Sequence, residues 1–334
     1  MKTIKITGTG SALPGRTVNN KELEGMVETS DEWIRERTGI TGRHVSTGET
    51  VATLAADAAR RALEQAGKKA EDIDLILLAT CSPEMYLPCC ACQVQAMIGA
   101  ANALAFDVNA ACSGFLFALN TADAYLQMGL VKNALVIGSE VLSKLVDWTD
   151  RGSCILFGDG AGAVVVEGCE ETFEENRITG GILGRALHSD GAGGEVLKCG
   201  ARELRTPFGN SVTVTEDEPL SIKMDGQEVY RFATRRVPQC IEEALQDAGL
   251  TVGDIDLFVL HQANARIIDA VAKRLHVDRE RFPTNLERVG NMSSASIPVL
   301  LDELNRQERL HRGDRIVLAG FGAGLTIGAC VITW

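Results

Sequence analysis

The stretch AGKKAEDIDLILL (Ala66–Leu78) decides the fold, because AGLTVGDIDLFVL (Ala248–Leu260) repeats its pattern at an offset of 182 (248 − 66). The runs ALVIGSE (Ala134–Glu140) and RIVLAGFGAG (Arg315–Gly324) also echo each other, at an offset of 181 (317 − 136). A period of this length is too long for a solenoid repeat, so it indicates two copies of one domain. We therefore expect duplicated α/β halves, with ligand sites near the junction of their strand ends.

Strand-like and helix-like runs alternate along the first half of the chain. Helices are predicted over 50–67 and 113–129, because both periodic runs end in glycine and the first begins with a capping threonine. The near-continuous apolar runs between helices indicate a buried and largely parallel sheet. The predicted strands are Lys2–Gly10, Ile73–Thr80, Ala103–Ala110, Asn133–Val141 and Gly160–Gly168.

Composition argues against several classes of protein. The 334 residues are 45% hydrophobic and carry a formal net charge of −12, which disfavours nucleic-acid binding. The start MKTIKITGTG (Met1–Gly10) has no apolar signal segment, and no apolar run reaches the ~18 residues of a membrane span. We therefore predict a cytoplasmic protein without membrane attachment, whose ten cysteines are reduced. The cluster of Cys89, Cys90 and Cys92 lacks a second ligand pair, so no metal site is predicted.

One cysteine lies where its side chain can be presented to a ligand. Cys112 is part of FDVNAACSGFLFALN (Phe106–Asn120), in which the strand ends near Asn109 and the helix begins at about Ser113. The unpaired N–H groups and the dipole of a helix start favour an anion, which lowers the pKa of a cysteine. We expect a reactive thiolate here. The alternative is an inert buried thiol that packs at the helix start.

Two further polar residues occupy comparable places. His261 directly follows the second-half strand, and Asn291 lies in a loop of small residues that enters a helix. A structural histidine and an ordinary turn asparagine are the alternatives. The run GFGAGLTIG (Gly320–Gly328) lacks the spacing of a dinucleotide loop, and it fits a tight turn that exposes N–H groups. No nicotinamide or ATP motif is found, so no cofactor is predicted.

Eight motifs, taken together, closely resemble β-ketoacyl-acyl-carrier-protein synthase III, a condensing enzyme of the thiolase fold. The resemblance extends from about residue 2 to residue 334. It implies an α/β protein with two thiolase-like halves, residues 1–170 and 171–334, in a five-layer αβαβα arrangement. The motifs are TSDEWIRERTGI (Thr29–Ile40), AACSGF (Ala110–Phe115), WTDRGS (Trp148–Ser153), FGDGAGA (Phe157–Ala163), MDGQEVYR (Met224–Arg231), HQAN (His261–Asn264), GNMSSAS (Gly290–Ser296) and GFGAGLT (Gly320–Thr326).

The resemblance implies a Cys-His-Asn active site. Cys112 matches the nucleophile, which takes the acyl group from an acyl-CoA starter. His261 and Asn291 match the donors that stabilise an enolate when malonyl-acyl-carrier protein loses CO2. The backbone N–H groups of Cys112 and Ala323 match the oxyanion hole, although many relatives have glycine in place of Ala323. The implied product is 3-oxoacyl-acyl-carrier protein, which starts fatty acid biosynthesis without a metal or redox cofactor.

The resemblance also implies a CoA site. Thr29, Trp33 and Arg151 match the residues around the adenine, and Tyr230 and Asn264 match the pantetheine channel. An indole face beside a guanidinium suits a nucleotide base. Simple packing of Trp33 at a helix start is the alternative.

An acidic carrier protein requires a basic surface on this acidic chain. Arg266 and Lys273 are seven residues apart on one predicted helix, and Arg231 and Arg235 are four apart on another, so each pair shares a helix face. Ordinary solvated helix faces are the alternative. The residues that match the carrier-protein contact of the family are Gln262, Ala263, Asn264, Ala265 and Arg266.

The chain departs from several relatives at Leu87, where they have phenylalanine at the acyl pocket. In this family that residue crosses a homodimer interface, so a homodimer is implied. The smaller leucine predicts starters that are longer or more branched than acetyl. A starter ketosynthase or an acyl-CoA condensing enzyme of secondary metabolism remains an alternative. A catalytically silent ketosynthase-like binding subunit is another, although the presence of all three triad residues argues against it.

Overall fold

Two β-sheets form the framework of the protein in the computed structural model, which describes residues 2–170, 173–174, 177–178, 181–200 and 220–334. The strands are β1 (Lys2–Ala12), β2 (Thr17–Asn19), β3 (Gly42–His44), β4 (Leu75–Ala79), β5 (Leu104–Val108), β6 (Asn133–Glu140), β7 (Gly160–Glu170), β8 (Phe173–Glu174), β9 (Arg177–Ile178), β10 (Gly181–Ser189), β11 (Leu197–Lys198), β12 (Lys223–Met224), β13 (Leu257–Leu260), β14 (Arg315–Gly322) and β15 (Thr326–Thr333). The first sheet has the order β1-β7-β6-β4-β5, and the second has the order β10-β15-β14-β13.

Both sheets are mixed. β4 is parallel to β5 and β6, and β13 is parallel to β14. The pairings of β7 with β1 and β6, and of β15 with β10 and β14, are antiparallel. The prediction of a largely parallel sheet is therefore wrong. A continuous apolar run indicates that both faces of a strand are buried, but it does not indicate whether neighbouring strands run parallel. Strand direction depends on the connection, and no α-helix separates β6 from β7, which are antiparallel.

The two helices predicted from sequence are present as α3 and α5. Thr50 caps α3 by accepting a hydrogen bond from Thr53 N, and Gly67 ends it in a left-handed conformation with φ of 65°. The α-helices of the described residues are α1 (Asn20–Glu24), α2 (Asp31–Thr38), α3 (Val51–Ala66), α4 (Cys90–Ile98), α5 (Gly114–Gln127), α6 (Gly226–Asp247), α7 (Ala265–Leu275), α8 (Leu286–Val289) and α9 (Ser296–Arg306).

The helices form three layers around the two sheets. α5 and α9 lie between the sheets, where Leu119 and Leu300 belong to one buried cluster with Leu77 of β4 and Leu318 of β14. α3 and α4 bury their apolar faces against the outer side of the first sheet. α6 and α7 cover the outer side of the second sheet. The predicted five-layer αβαβα arrangement is confirmed.

The internal repeat is present in the structure with a single period. Leu75 of β4 pairs with Ala134 of β6, and Leu257 of β13 pairs with Ile316 of β14. Both members of the second pair follow their counterparts at the same offset of 182 (257 − 75 and 316 − 134). The offset of 181 inferred for these closing strands is therefore wrong by one residue, and one period relates the two copies.

Two short 3-10 turns lie at equivalent positions of the repeat. Ala111–Ser113 precedes α5 and Ser293–Ala295 precedes α9, again at this offset (293 − 111). Their first residues, Ala111 and Ser293, have φ of 45° and 48°, a region that residues other than glycine rarely occupy. Such backbone strain persists only where the surrounding structure fixes it.

Each turn packs against a strand of the other copy. A Cβ atom on Gly138 of β6 would lie 2.2 Å from Ser294 O, and a Cβ atom on Gly322 of β14 would lie 2.6 Å from Cys112 N. Only glycine permits such close backbone contact at these two positions. The junction between the copies is thus formed by backbone against backbone.

The predicted division of the chain between residues 170 and 171 falls beside residues that the structure does not describe, and it stays a prediction. Strands of the first sheet lie within residues 2–170, and strands of the second lie within residues 181–333. Among the described helices, none combines the length and apolar character needed to cross a bilayer.

Candidate active site

Cys112 lies in the turn Ala111–Ser113, directly before α5, which begins within a residue of the predicted start. Its side chain is buried, at 9% relative exposure. Burial raises the pKa of the Cys112 thiol to about 12, although hydrogen bonds from the Ser293 hydroxyl and from its own backbone lower it. The direction of this shift is opposite to the one expected for a resting thiolate. The helix start is present, but Gly322 of the second copy packs against the turn and the Cys112 side chain is largely buried.

Polar contacts join the Cys112 turn to the end of β14. Thr326 Oγ1 lies 3.1 Å from Ala110 O and 3.0 Å from Ala323 O. Ser113 Oγ in turn lies 2.8 Å from Thr326 Oγ1. These contacts hold together the segments that carry the predicted oxyanion donors, the backbone N–H groups of Cys112 and Ala323. Ala323 does not have a positive φ, so its backbone conformation suits alanine.

Asn291 is buried, and its orientation is fixed by its neighbours. Its Oδ1 accepts a hydrogen bond of 2.9 Å from Ser293 N. Its backbone N–H donates to Leu156 O, and its backbone carbonyl accepts from Gly158 N, each at 2.9 Å. Because Oδ1 is already engaged, the side-chain amide Nδ2 is left as the donor for a ligand.

His261 directly follows β13 and is held on two sides. Its Nδ1 lies 2.7 Å from Ser296 Oγ, which also lies 2.5 Å from Ser293 O. Its ring meets Phe321 edge-on, with 5.5 Å between the ring centroids. Burial lowers the pKa of His261 to about 3, so the imidazole is neutral at neutral pH.

The structure brings the three predicted catalytic residues together. Cys112, His261 and Asn291 line one pocket of about 210 Å³. A second, mostly apolar pocket of about 410 Å³ also reaches Cys112 and Ala323. The thiol therefore faces a channel on one side and an apolar chamber on the other. The apolar side chains of the chamber include Leu142, Leu145, Phe157, Leu197 and Ile222.

The residues predicted to bind adenine also lie together. The Arg151 guanidinium lies 5.2 Å from the centroid of the Trp33 ring, and the Arg37 guanidinium lies 6.0 Å from it. Arg151 donates a 3.0 Å hydrogen bond to Glu28 O, beside Thr29. Within the described part of the chain, the buried Thr29 Oγ1 has no hydrogen-bond partner. An unsatisfied hydroxyl beside a cation–π pair is a suitable place for a polar ligand.

Tyr230 and Asn264 line the same pocket as Cys112. The Arg266 guanidinium lies 5.8 Å from the centroid of the Tyr230 ring. Asn264 caps α7 by accepting from Arg266 N, and its Nδ2 donates to Arg37 O at 3.0 Å. The pocket therefore extends from the thiol towards the cluster of Trp33 and its arginines.

The segment predicted to contact a carrier protein is only partly on the surface. Gln262 is fully buried, its Nε2 donates to Leu260 O, and its Oε1 accepts from Asn285 N. A side chain held in this way does not reach a docking protein, which corrects the inclusion of Gln262. Ala263, Asn264 and Ala265 are half-buried, and Arg266 is exposed.

Leu87 does not lie in either pocket of its own chain. Its side chain is 85% exposed, and the neighbouring Met85 and Tyr86 are exposed as well. A single chain therefore does not bring this residue to the acyl chamber.

Sequence reasoning missed the polar residues that support the site. Ser296 contacts the His261 ring, and Ser293 contacts the Asn291 side chain. Glu140 accepts a hydrogen bond from Ser293, and Thr326 contacts Ala110 beside the Cys112 turn. The available signal was chemical: polar residues within otherwise buried runs need partners. Their partners come from the other copy of the repeat or from neighbouring loops, which sequence spacing does not reveal.

Comparison with known proteins gives consistent results. The model of 3-oxoacyl-[acyl-carrier-protein] synthase III matches residues 106–191, and the model of its C-terminal part matches residues 245–334. The chain is 46% identical to the β-ketoacyl-[acyl-carrier-protein] synthase III of Clostridium acetobutylicum, over 100% of this chain and 99% of the relative.

Solved structures agree with this result. 3-Oxoacyl-[acyl-carrier-protein] synthase III from Aquifex aeolicus VF5 superposes with a TM-score of 0.90 at 40% identity, covering 99% of this chain and 100% of that one. The priming β-ketosynthase of the R1128 polyketide biosynthetic pathway superposes with a TM-score of 0.87 at 35% identity, covering 99% and 96%. With the predicted catalytic residues gathered in one pocket, the chain belongs to the β-ketoacyl-[acyl-carrier-protein] synthase III family.

Proposed function

We propose that the chain catalyses the decarboxylative condensation of an acyl-CoA starter with malonyl-acyl-carrier protein. The products are 3-oxoacyl-acyl-carrier protein, CO2 and CoA, and the reaction initiates fatty acid biosynthesis. The observation that carries the proposal is the convergence of Cys112, His261 and Asn291 in one pocket of a chain of this family. One nucleophile and two neutral donors are what acyl transfer followed by condensation requires.

The first half-reaction transfers the acyl group to Cys112. The thiol is protonated at neutral pH, because burial raises its pKa. As the new C–S bond forms and the CoA C–S bond breaks, the proton leaves with CoA as its thiol, so the exchange is neutral. The N–H groups of Cys112 and Ala323 stabilise the tetrahedral oxyanion. The chamber that reaches both residues receives the acyl chain.

The second half-reaction forms the carbon–carbon bond. Loss of CO2 from the malonyl thioester leaves an enolate, whose oxygen accepts hydrogen bonds from Asn291 Nδ2 and His261 Nε2. Nε2 carries a proton when the Ser296 hydroxyl turns away from Ser293 O, to which it donates at 2.5 Å, and donates instead to Nδ1, 2.7 Å away. The α-carbon attacks the acyl carbonyl, the bond to Cys112 breaks, and the sulfur takes a proton from solvent. The neutrality of His261 is consistent with this donor role.

The channel leads from the thiol to the proposed CoA site. Tyr230, Asn264 and Arg37 line the channel. The Arg37 guanidinium lies 6.0 Å from the Trp33 ring, which leads to the Trp33–Arg151 pair. The pantetheine arm lies in the channel, and the adenine stacks on the indole beside the guanidinium. The same channel admits the pantetheine arm of the carrier protein after CoA leaves.

A basic surface for the carrier protein lies on α6 and α7. Arg231 and Arg235 are exposed on α6, and Arg266 and Lys273 are exposed on α7. Within the described residues, Arg235, Arg266 and Lys273 form no ion pair, whereas Arg231 pairs with Glu228. Unpaired cations beside the channel on a chain of net charge −12 are suited to an acidic partner.

We infer a homodimer from the free edge of the first sheet. β5 is the edge strand, and its first residue Leu104 is 57% exposed. Tyr86, Leu87 and Met97 add exposed apolar surface nearby in sequence. A second copy that pairs with this edge covers a face that would otherwise promote aggregation. Such a dimer gives Leu87 a place at the partner's acyl chamber.

Intact-mass measurement with a panel of acyl-CoAs tests the proposed function. We expect the wild-type chain to gain one acyl group at Cys112, and C112S to show no gain at this position. Addition of malonyl-acyl-carrier protein should then release CO2 and restore the unmodified mass. Acyl loading without CO2 release would indicate an acyl-CoA hydrolase or transferase, and no loading at all would indicate a silent subunit.

A further inference from the structure

Glu140 is a buried carboxylate that the proposed mechanism does not use. It ends β6 and has 0% relative exposure. Among the described residues, no lysine, arginine or histidine forms an ion pair with it. Burial raises its pKa, while hydrogen bonds from neighbouring serines lower it. Burial of a carboxylate without a cation costs folding free energy, so the presence of Glu140 here calls for a structural or functional reason.

The two carboxylate oxygens of Glu140 bind the two copies of the repeat. Oε2 accepts from Ser82 Oγ at 2.5 Å and from Thr80 Oγ1 at 3.1 Å, in the segment that follows β4 of the first copy. Oε1 accepts from Ser294 Oγ at 2.8 Å and from Ser293 Oγ at 3.1 Å, in the turn of the second copy. Both oxygens also accept from Cys81 N of the first copy, at 3.3 and 3.1 Å. One side chain therefore joins the two copies directly behind the active site.

Ser293 connects Glu140 to two catalytic groups. Its backbone N–H holds Asn291 Oδ1 at 2.9 Å, which directs the Asn291 amide donor. Ser293 also lines the chamber that reaches Cys112, and its hydroxyl lowers the pKa of the Cys112 thiol while the Glu140 charge raises it. Ser293 has the strained φ of 48°, and the contact with Glu140 is one of the few that can hold its side chain in this conformation.

The repeat places Gly322 at the position equivalent to Glu140, at the same offset as the strand pairs (322 − 140). Gly322 lies against the nucleophile turn, where a Cβ atom would be 3.1 Å from Cys112 Cβ. Glu140 lies in the same way against the Ser293 turn, but it contributes a carboxylate. Gly322 of the second copy therefore leaves space beside the Cys112 turn of the first. At the equivalent position of the first copy, the Glu140 side chain fills the space beside the Ser293 turn, which contacts Asn291.

We propose that Glu140 is a positioning residue that acts through Ser293 to hold the Cys112 thiol and the Asn291 amide in one fixed relation. This inference rests on the proposed condensation, because it assigns a role in both half-reactions. It predicts that loss of the carboxylate slows acyl transfer and decarboxylation together, since Ser293 binds the Asn291 side chain and lines the same chamber as the Cys112 thiol.

The first test replaces the carboxylate with an amide of equal size. E140Q is expected to lower the rate of Cys112 loading by butyryl-CoA and the rate of CO2 release from malonyl-acyl-carrier protein, each about 100-fold, with KM within twofold. D159N is the matched control. Asp159 is also buried, accepts from Ser143 and Ser46, and does not touch the catalytic side chains. We expect D159N to lower stability and leave both rates within twofold.

The second test asks whether Glu140 acts through Ser293. S293A alone should lower both rates, and E140Q/S293A should fall no further than the lower single variant. The two changes would then be coupled by a factor on the order of tenfold or more. Effects that multiply, or an E140Q variant that behaves like D159N, overturn the proposal.

A third variant keeps the proposal testable if E140Q does not fold. E140D retains the charge but is one methylene shorter, so it cannot bind both turns at once. It should show the same joint loss of rate, and wild-type rates in E140D overturn the proposal. Failure of the wild-type chain to load any acyl group instead contradicts the proposed condensation.

Discussion

The backbone of Gly322 lies directly against that of Cys112: a Cβ atom on Gly322 would be 2.6 Å from Cys112 N. The end of β14 and the nucleophile turn are therefore in contact without any side chain between them. This contact fixes the distance between the two predicted oxyanion donors, because Ala323 directly follows Gly322.

Gly322→Ala should disable the oxyanion hole. The added methyl group has to displace the Cys112 turn, and a shift of about 1 Å at a reacting atom costs on the order of 100-fold in rate. Overpacking should also lower the free energy of unfolding by about 1–3 kcal/mol. Acyl loading measured by intact mass checks the first effect. Gly15→Ala is the control, since a Cβ there meets no atom within 4 Å; equal loading in the two variants would refute the argument.

Asn291→Asp should separate the two half-reactions. An aspartate oxygen still accepts from Ser293 N, but the second oxygen cannot donate as Nδ2 does. We expect decarboxylation to fall about 100- to 1,000-fold while Cys112 still loads from acyl-CoA. CO2 release and intact mass measure the two steps. Asn305→Asp, the same change beside Thr9 on α9, should alter neither. Decarboxylation at the wild-type rate in Asn291→Asp would remove Asn291 from the mechanism.

The reactivity of Cys112 should rise steeply with pH. Burial raises its pKa to about 12, so the thiolate fraction of the free protein grows about tenfold for each pH unit throughout the range below that value. Alkylation by iodoacetamide, followed by peptide mapping, should therefore increase from pH 7 to pH 10 without a plateau. Mapping separates Cys112 from the exposed Cys199. A plateau below pH 8 would mean that the helix start outweighs burial.

Arg266→Glu should weaken carrier-protein docking. Reversal of an exposed charge beside the channel should raise KM for malonyl-acyl-carrier protein at least about tenfold, and the effect should shrink at high salt. Loading of Cys112 from acyl-CoA should be unchanged within twofold. Arg274→Glu provides a control on the same helix with the same change of charge. If Arg266→Glu and Arg274→Glu raise KM equally, the increase comes from the change in net charge and Arg266 is not part of a docking site.

Leu87→Phe should narrow the acyl chamber of the proposed dimer. A larger side chain leaves less space, so the ratio of kcat/KM for acetyl-CoA to that for butyryl- and isobutyryl-CoA should rise. Competition assays with these starters measure the ratio directly. The wild-type chain is expected to prefer the longer or branched starters. An unchanged ratio would indicate that Leu87 does not reach the chamber.

Local features of the fold could be predicted from sequence, because their causes are local. Thr50 and Gly67 bound α3 through hydrogen bonds and a left-handed conformation that involve only nearby residues. The repeat of Ala66–Leu78 also identified the duplication, since equal sequences favour equal folds. The repeat offset predicted for β6 and β14 was wrong by one residue. The apolar residues of the two strands can be aligned almost equally well in two registers.

Features that depend on chain connections or on contacts between the copies could not be predicted. The direction of β7 depends on a return without a crossover helix, and the pKa of Cys112 depends on burial by the opposite copy. The convergence of Cys112, His261 and Asn291 followed from the resemblance and not from spacing. The CoA and carrier-protein contacts, the absence of a cofactor and a cytoplasmic location stay predictions.

Because both copies of the repeat contribute residues to the proposed active site, activity should require that the two copies stay together. The first copy supplies the sulfur, and the second supplies the imidazole and the amide. Two fragments produced by cleavage between the copies would each lack part of the reaction centre, so activity would return only when they reassociate.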